Sequence, residues 1–263
     1  MKKYATNARL ISFTYFFYVF SCFSGFLLSS FTPKLLDIVL PLNESRSITM
    51  PYDVYYFVDE EKYFFYIMFH ICVCGTISVT AAIAHDCTFF IYIEHVCSLF
   101  AVAGFRLETL LRKDRNNAIN LSDNRKIVVS IHAHWRALRF AEILEDIFYT
   151  AFAVQMLIVV AILSISLAQV AIQYGDIREM LKYLTFICAQ VLHTFCYSLQ
   201  GQRLIDHSLQ LSDRIYNSSW YEIPAKSRKL FMFVMRRSME PCFLSAGKIF
   251  VFSLKNFTTV KII

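Results

Sequence analysis

The residues whose types come nearest to a metal site are His85, Asp86, Glu94 and His95. Asp86 and Glu94 stand eight apart, which places them on roughly one face of a helix. The plainer reading, a polar stretch of helix packed against its neighbours, is the expectation here. His132-Ala133-His134 is a second candidate pair. A helix would splay two residues of that spacing, so no metal is expected there either. Serine, histidine and aspartate are all present, but no Gly-x-Ser-x-Gly elbow supports hydrolase chemistry. A glycine-rich phosphate loop is also missing. The eight cysteines form no Cys-x-x-Cys pair and sit in or beside apolar segments, so they read as small buried hydrophobes. No catalytic residue, cofactor or metal is therefore assigned, and the chain is not expected to be an enzyme.

What must position these residues is a set of apolar segments. Hydrophobic residues make up 57% of the 263 positions and charged residues 17%, with a mean hydropathy of +0.47. A net charge of +6 would suggest nucleic acid if it were clustered on a polar domain. The basic residues instead punctuate apolar runs, including Lys226, Arg228, Lys229, Arg236 and Arg237, which points to membrane orientation and not to nucleic acid. Leu10–Phe31 is 22 residues without a charge. A signal-peptide core is about 7–15 residues and a bilayer span about 20, so this run reads as an uncleaved span.

Four further spans are expected, at about 63–85, 147–172, 183–202 and 242–263, the last interrupted by Lys248, Lys255 and Lys261. All should be helical, because a backbone exposed to lipid must satisfy its own hydrogen bonds. Cys87–Phe105 is apolar but holds Glu94 and His95, and charge decides its reading. If it is not a span, the flank before Leu10, Arg106–Asp146 and Gln202–Glu240 share one side, with three, eight and seven Lys/Arg. The opposite loops, Thr32–Lys62 and Asp176–Lys182, hold three and two. The positive-inside rule then makes 63–105 one helix that leaves the bilayer and continues in the cytoplasm, and it puts the N-terminus in the cytoplasm. The expected fold class is all-α: a multi-pass transmembrane helical bundle with long cytoplasmic helix extensions. Asn43-Glu44-Ser45 falls in an outside loop and is a glycosylation candidate, whereas the sequons at Asn120 and Asn217 should stay bare.

Four segments in order resemble the insect odorant receptor family, particularly its hymenopteran branch. They are Leu40–Arg46 with Tyr56–Tyr63; His95–Val102 with Phe105–Glu108; Arg136–Glu142; and Tyr216–Tyr221 with Met235–Ser238 and Pro241–Lys248. The resemblance treats residues 1–263 as one partial membrane domain covering the family's third to seventh helices, truncated at both ends. Asn256–Val260 is similar to the start of the family's last, pore-lining half-helix.

The resemblance implies an odorant-binding subunit of a ligand-gated nonselective cation channel in olfactory signal transduction. It also implies a heterotetramer with an olfactory co-receptor, residence in the cell membrane of a sensory dendrite, and a small volatile or cuticular hydrophobic ligand. Phe20, Phe23, Tyr66, Phe69, His70, Tyr183, Phe186 and Ile187 are the implied ligand contacts. Tyr66 and His70, four apart, share a helix face, and an imidazole in a span needs a polar partner or cavity. The alternatives carried forward are a non-functional truncated receptor fragment and a gustatory receptor of the same superfamily. A transporter or membrane enzyme would want charges near mid-bilayer, and four of the five spans hold no Asp, Glu, Lys or Arg.

Overall fold

The structure is a computed structural model. It describes residues 1–32, 38–40, 55–59, 62–113, 121–175, 177–218, 220–221 and 225–259; side chains at 111–113, 121–124 and 178 are not described. Asn43, Asn120 and most of the Leu40–Arg46 segment lie outside these residues. The elements are helices α1 (Lys2–Ser29), α2 (Phe64–Lys113), α3 (Leu121–Ile172), α4 (Ile177–Tyr216) and α5 (Ala225–Ser238). Strands β1 (Ser245–Ala246) and β2 (Phe250–Val251) and a short helix α6 (Leu254–Thr259) follow.

Three of these helices, α1, α2 and α3, are long and apolar enough among the described residues to cross a membrane. α2 has 50 residues and runs without a break through Cys87–Phe105. At about 1.5 Å per residue it is roughly 75 Å long, against a hydrocarbon thickness of about 30 Å. A large part of it must therefore lie outside any bilayer. α3, with 52 residues, is of the same kind. α4 contains the expected 183–202 segment, but Gln190, His193 and Thr194 interrupt its apolar character. Glu179 in its first turn and Arg214 in its last suit the helix dipole.

The chain divides into two units, Asn7–Ile91 and Met1–Thr6 with Tyr92–Ile263. In the first, the buried side chains Phe64, Ile67, Met68 and Ile71 of α2 form a cluster that Leu27, Phe31 and Tyr56 close over. In the second, Leu107, Ile127, Leu211, Ile215, Phe231, Val234 and Met235 join α2, α3, α4 and α5. Phe231 is fully buried, and burying one such side chain contributes about 1.5–3 kcal/mol. Long stretches elsewhere expose Phe13, Phe65, Leu157 and Ile165. An apolar side chain on a membrane helix can be covered by lipid, so it needs no protein neighbour. The same reasoning corrects the expectation for the cysteines. All eight are free thiols; Cys97 is buried, while Cys22, Cys74 and Cys188 are exposed.

The expected helix over 242–263 is a second correction. β1 and β2 pair antiparallel, Ser245 with Val251 and Ala246 with Phe250. Between them Gly247 (φ 62°) and Lys248 (φ 61°) are both left-handed, as a type I′ turn requires, and the N–H of Ile249 closes onto the carbonyl of Ala246 at 3.1 Å. Consecutive left-handed residues are incompatible with an α-helix. Helix resumes at Leu254 and is described as far as Thr259.

Candidate functional site

In the Asn7–Ile91 unit, His70 finds the polar partner that its place in an apolar helix demands. The Tyr56 hydroxyl lies 2.9 Å from its Nδ1 and the Cys74 thiol 3.4 Å from its Nε2. The Tyr56 ring meets the imidazole edge-on at 5.7 Å. Tyr66 and Phe69 are exposed beside it. On α1, Phe20 is exposed and stacks on Phe16 at 5.6 Å. Phe23 packs closely onto Gly75, where a Cβ would stand 2.7 Å from the tip of its ring. At another level of the same unit the Tyr15 hydroxyl donates to buried Asp86, whose other oxygen lies 3.3 Å from Nδ1 of His85. Asp86 is thus held in an internal bond between α1 and α2.

Tyr183, Phe186 and Ile187 belong to the other unit, on α4. Phe186 is exposed, and Tyr183 and Ile187 are half-buried. The Lys182 ammonium lies 5.9 Å over the Tyr183 ring.

The same unit contains a buried polar chain that sequence spacing did not reveal. Glu94 is buried and pairs with the Arg203 guanidinium. Neither carboxylate oxygen receives a well-aligned hydrogen bond, and burial pushes its pKa up against the pull of Arg203. One helical turn on, His207 Nδ1 lies 2.9 Å from the carbonyl of Arg203. A carbonyl can only accept, so Nδ1 carries the proton and Nε2 is left to accept from the Tyr4 hydroxyl at 3.1 Å. Burial lowers the His207 pKa, in keeping with that neutral tautomer. Cys97, beside this chain, is pushed up to about 12 by burial and by Glu94, so it is an inert thiol. Glu94 is committed to Arg203, and His132 and His134 are splayed: His132 is exposed against Trp135 and His134 is buried near Ser238. Among the described residues no three His, Cys, Asp or Glu side chains converge.

The hairpin before α6 is gripped from two helices. On the α3 side, Glu145 accepts hydrogen bonds from the backbone and the hydroxyl of Ser245. The N–H of Gly247 donates to the Tyr149 carbonyl at 2.9 Å, and the Lys248 ammonium lies 5.4 Å over the Tyr149 ring. On the α4 side, Ser208 Oγ accepts from the N–H of Cys242 at 3.0 Å, and Gln202 Oε1 from that of Leu254 at 3.2 Å. Gly201 allows the closest approach, since a Cβ there would be 2.2 Å from the Phe252 carbonyl oxygen. The Phe252 ring sits against Phe152 and Tyr197 at 5.2 and 5.8 Å. Chemically this is a mechanical coupling and not a reaction centre: α6 is attached to α5 through a turn whose position α3 and α4 dictate.

A family model described as 7tm Odorant receptor matches residues 1–262. The chain belongs to the odorant receptor family. Odorant receptor 9a of Drosophila melanogaster is 20% identical over 260 residues, which is 97% of this chain and 61% of that receptor. Odorant receptor 22c of the same fly is 31% identical over 58 residues, 22% of this chain and 14% of that one. This receptor chain thus spans about three fifths of the length of receptor 9a. Its fold is that of the insect olfactory receptor OR5 from Machilis hrabei. The OR5 structure in complex with eugenol aligns with a TM-score of 0.68 at 17% identity, covering 98% of this chain and 66% of that one. A second OR5 structure gives 0.63 at 16%, with the same coverage. The all-helical membrane fold expected from the sequence is the family's fold.

Two further features of this odorant receptor chain escaped the sequence reading. The Tyr56–His70 contact joins a loop residue to a helix, and only the lone histidine in an apolar run hinted that a partner was needed. The hairpin did leave a signal: Pro241, Gly247 and three lysines within an otherwise apolar stretch.

Proposed function

We propose that this receptor chain is the odorant-binding subunit of a ligand-gated, nonselective cation channel in olfactory signal transduction, assembled with an olfactory co-receptor as a heterotetramer. The observation that carries this reading is the odorant-receptor family match along residues 1–262. It also favours the odorant branch over the gustatory one. The ligand is a small hydrophobic volatile or cuticular compound. Eugenol, bound in the Machilis hrabei relative, is a small aromatic molecule, and exposed aromatic side chains with a few polar tips suit such a ligand. Within Asn7–Ile91 the proposed contacts are Phe20, Phe23, Tyr66, Phe69 and His70; on α4 they are Tyr183, Phe186 and Ile187. Opening is a population shift, in which the odorant binds the open state more tightly than the closed one. A preference of about 1.4 kcal/mol changes the equilibrium tenfold.

The proposed topology puts the N-terminus, residues 87–146 and residues 203–240 in the cytoplasm of a sensory dendrite. Spans lie near 10–31, 63–85, 147–172 and 183–202, and α6 begins a further one. The balance of Lys and Arg supports this orientation. Asn43 is then an outside site and Asn120 an inside one. Odorant-evoked current in cells expressing this chain with the co-receptor tests the function. A dose-dependent inward current with the co-receptor, and none with the co-receptor alone, is expected. Silence across a broad odorant panel, with both chains at the surface, would refute it.

A further inference from the structure

Where α2 ends and α3 begins, the two helices enclose an open cleft of about 820 Å³. Phe105 and Leu110 of α2 and Val129 of α3 supply apolar lining; Arg106 of α2 and Arg125 and Lys126 of α3 supply three cations. Among the described residues no acidic side chain lines it, and neither Arg106 nor Arg125 is in an ion pair there. The two hydroxyls in the wall are spent on their own helices: Thr109 donates to the Phe105 carbonyl at 2.7 Å and Ser130 to the Lys126 carbonyl at 2.9 Å. Negative charge entering the cleft would therefore be met by Arg106 and Arg125.

We propose that this cleft binds a soluble phosphate-bearing ligand of the nucleoside polyphosphate class. The argument from charge is direct, because cations of one sign lining the same cleft reinforce one another's field and attract anions. Guanidinium groups suit phosphate in particular, through paired N–H donors. The apolar lining selects for a ligand with a hydrophobic or aromatic part, since a bare anion would leave Phe105, Leu110 and Val129 uncovered.

A phospholipid headgroup has the same chemistry, but position argues against it. At about 1.5 Å per residue, Arg106 lies roughly 30 Å along α2 from residue 85, and Arg125 roughly 33 Å along α3 from residue 147. This part rests on the cytoplasmic reading of residues 87–146 proposed above. A lipid held in the bilayer does not reach that far, so the ligand is cytosolic. The odorant contacts proposed above share no residue with the cleft, so a ligand here would act on the helix ends independently of odorant.

The test uses the full chain purified in detergent, with ATP, inorganic triphosphate, and vesicles carrying a phosphoinositide as three separate probes. ATP is expected to bind saturably, more weakly as salt is raised. Reversing one charge, in R106E or R125E, should weaken it by about tenfold or more. The milder R106Q and R125Q, with a melting temperature recorded for each variant, guard against loss of fold. ATP binding that is absent, or unchanged in all four variants, overturns the site. Triphosphate binding as tightly as ATP overturns the role of the apolar lining. Vesicle binding that disappears in R106E overturns the soluble source. Orientation is read separately, as labelling in excess of the parent chain with its own free thiols: a thiol placed by R125C should add reaction with an impermeant maleimide only in permeabilised cells. Labelling of intact cells would overturn the cytosolic ligand and the topology while leaving the binding result standing.

Discussion

Both carboxylate oxygens of Glu145 on α3 are occupied by Ser245 at the start of β1, one by its N–H at 2.8 Å and the other by its hydroxyl. A single acidic side chain thus anchors the hairpin through two charge-assisted bonds, which are roughly twice as strong as neutral ones. Replacing Glu145 with alanine should cost about 2–3 kcal/mol and loosen residues 242–252 ahead of the rest. Hydrogen exchange on the purified chain would read this directly. Protection at Ser245 and Gly247 unchanged in E145A would show that the Tyr149 and Ser208 contacts suffice.

Among the described residues, Arg203 is the one cation that meets buried Glu94. Removing it leaves an uncompensated charge inside the protein, which costs about 3–5 kcal/mol in well-buried cases. A value near the lower end is expected here, because Arg203 is partly exposed. R203M should therefore unfold at a clearly lower denaturant concentration than the parent. The double variant R203M/E94L should recover most of the loss, since an apolar pair of similar volume has no desolvation cost. A double variant no better than R203M would mean that Arg203 acts chiefly through packing.

His134 lies in the part of α3 before the proposed span. It is buried against Phe100 and Ser238. Burial, and then the neighbouring Arg237, push its pKa down from 6.5 to about 4. The folded state therefore binds fewer protons than the unfolded state between those values. The stability it contributes is complete above about 6.5 and is lost as pH falls toward about 4, by at most about 3 kcal/mol. Melting temperatures from pH 7.5 downward should fall more steeply for the parent than for H134Q, whose amide does not titrate in this range. Parallel curves would assign the acid limb to other groups.

His70 and Tyr56 bind each other at 2.9 Å beside exposed Tyr66 and Phe69. If these side chains contact odorant, H70A and Y66A should raise the half-maximal odorant concentration by about threefold or more, with surface expression preserved. Y56F removes only the hydroxyl and should shift it in the same direction by less. Dose–response curves that coincide for all three variants would move the ligand site elsewhere.

Sequence and structure divide the molecule along a physical line. Apolar runs such as Leu10–Phe31 and Ile147–Gly175 determine helices by themselves, because a backbone in lipid has no other way to satisfy its polar groups. The alternation of basic segments between those runs carries an orientation for the same reason, being a property of the membrane and not of the fold. What depends on contact between distant residues was illegible. Nothing local in Glu94 names Arg203, 109 positions away. Tyr56 does not announce His70, nor Gly201 the Phe252 carbonyl that its missing side chain admits. The hairpin at 245–251 is the clearest case. Its composition is that of a membrane helix, and a helix was the local expectation. Tertiary bonds from Glu145, Tyr149, Ser208 and Gln202 take up its backbone and polar groups instead. With those donors and acceptors satisfied from neighbouring helices, the segment no longer needs a helix of its own to be buried.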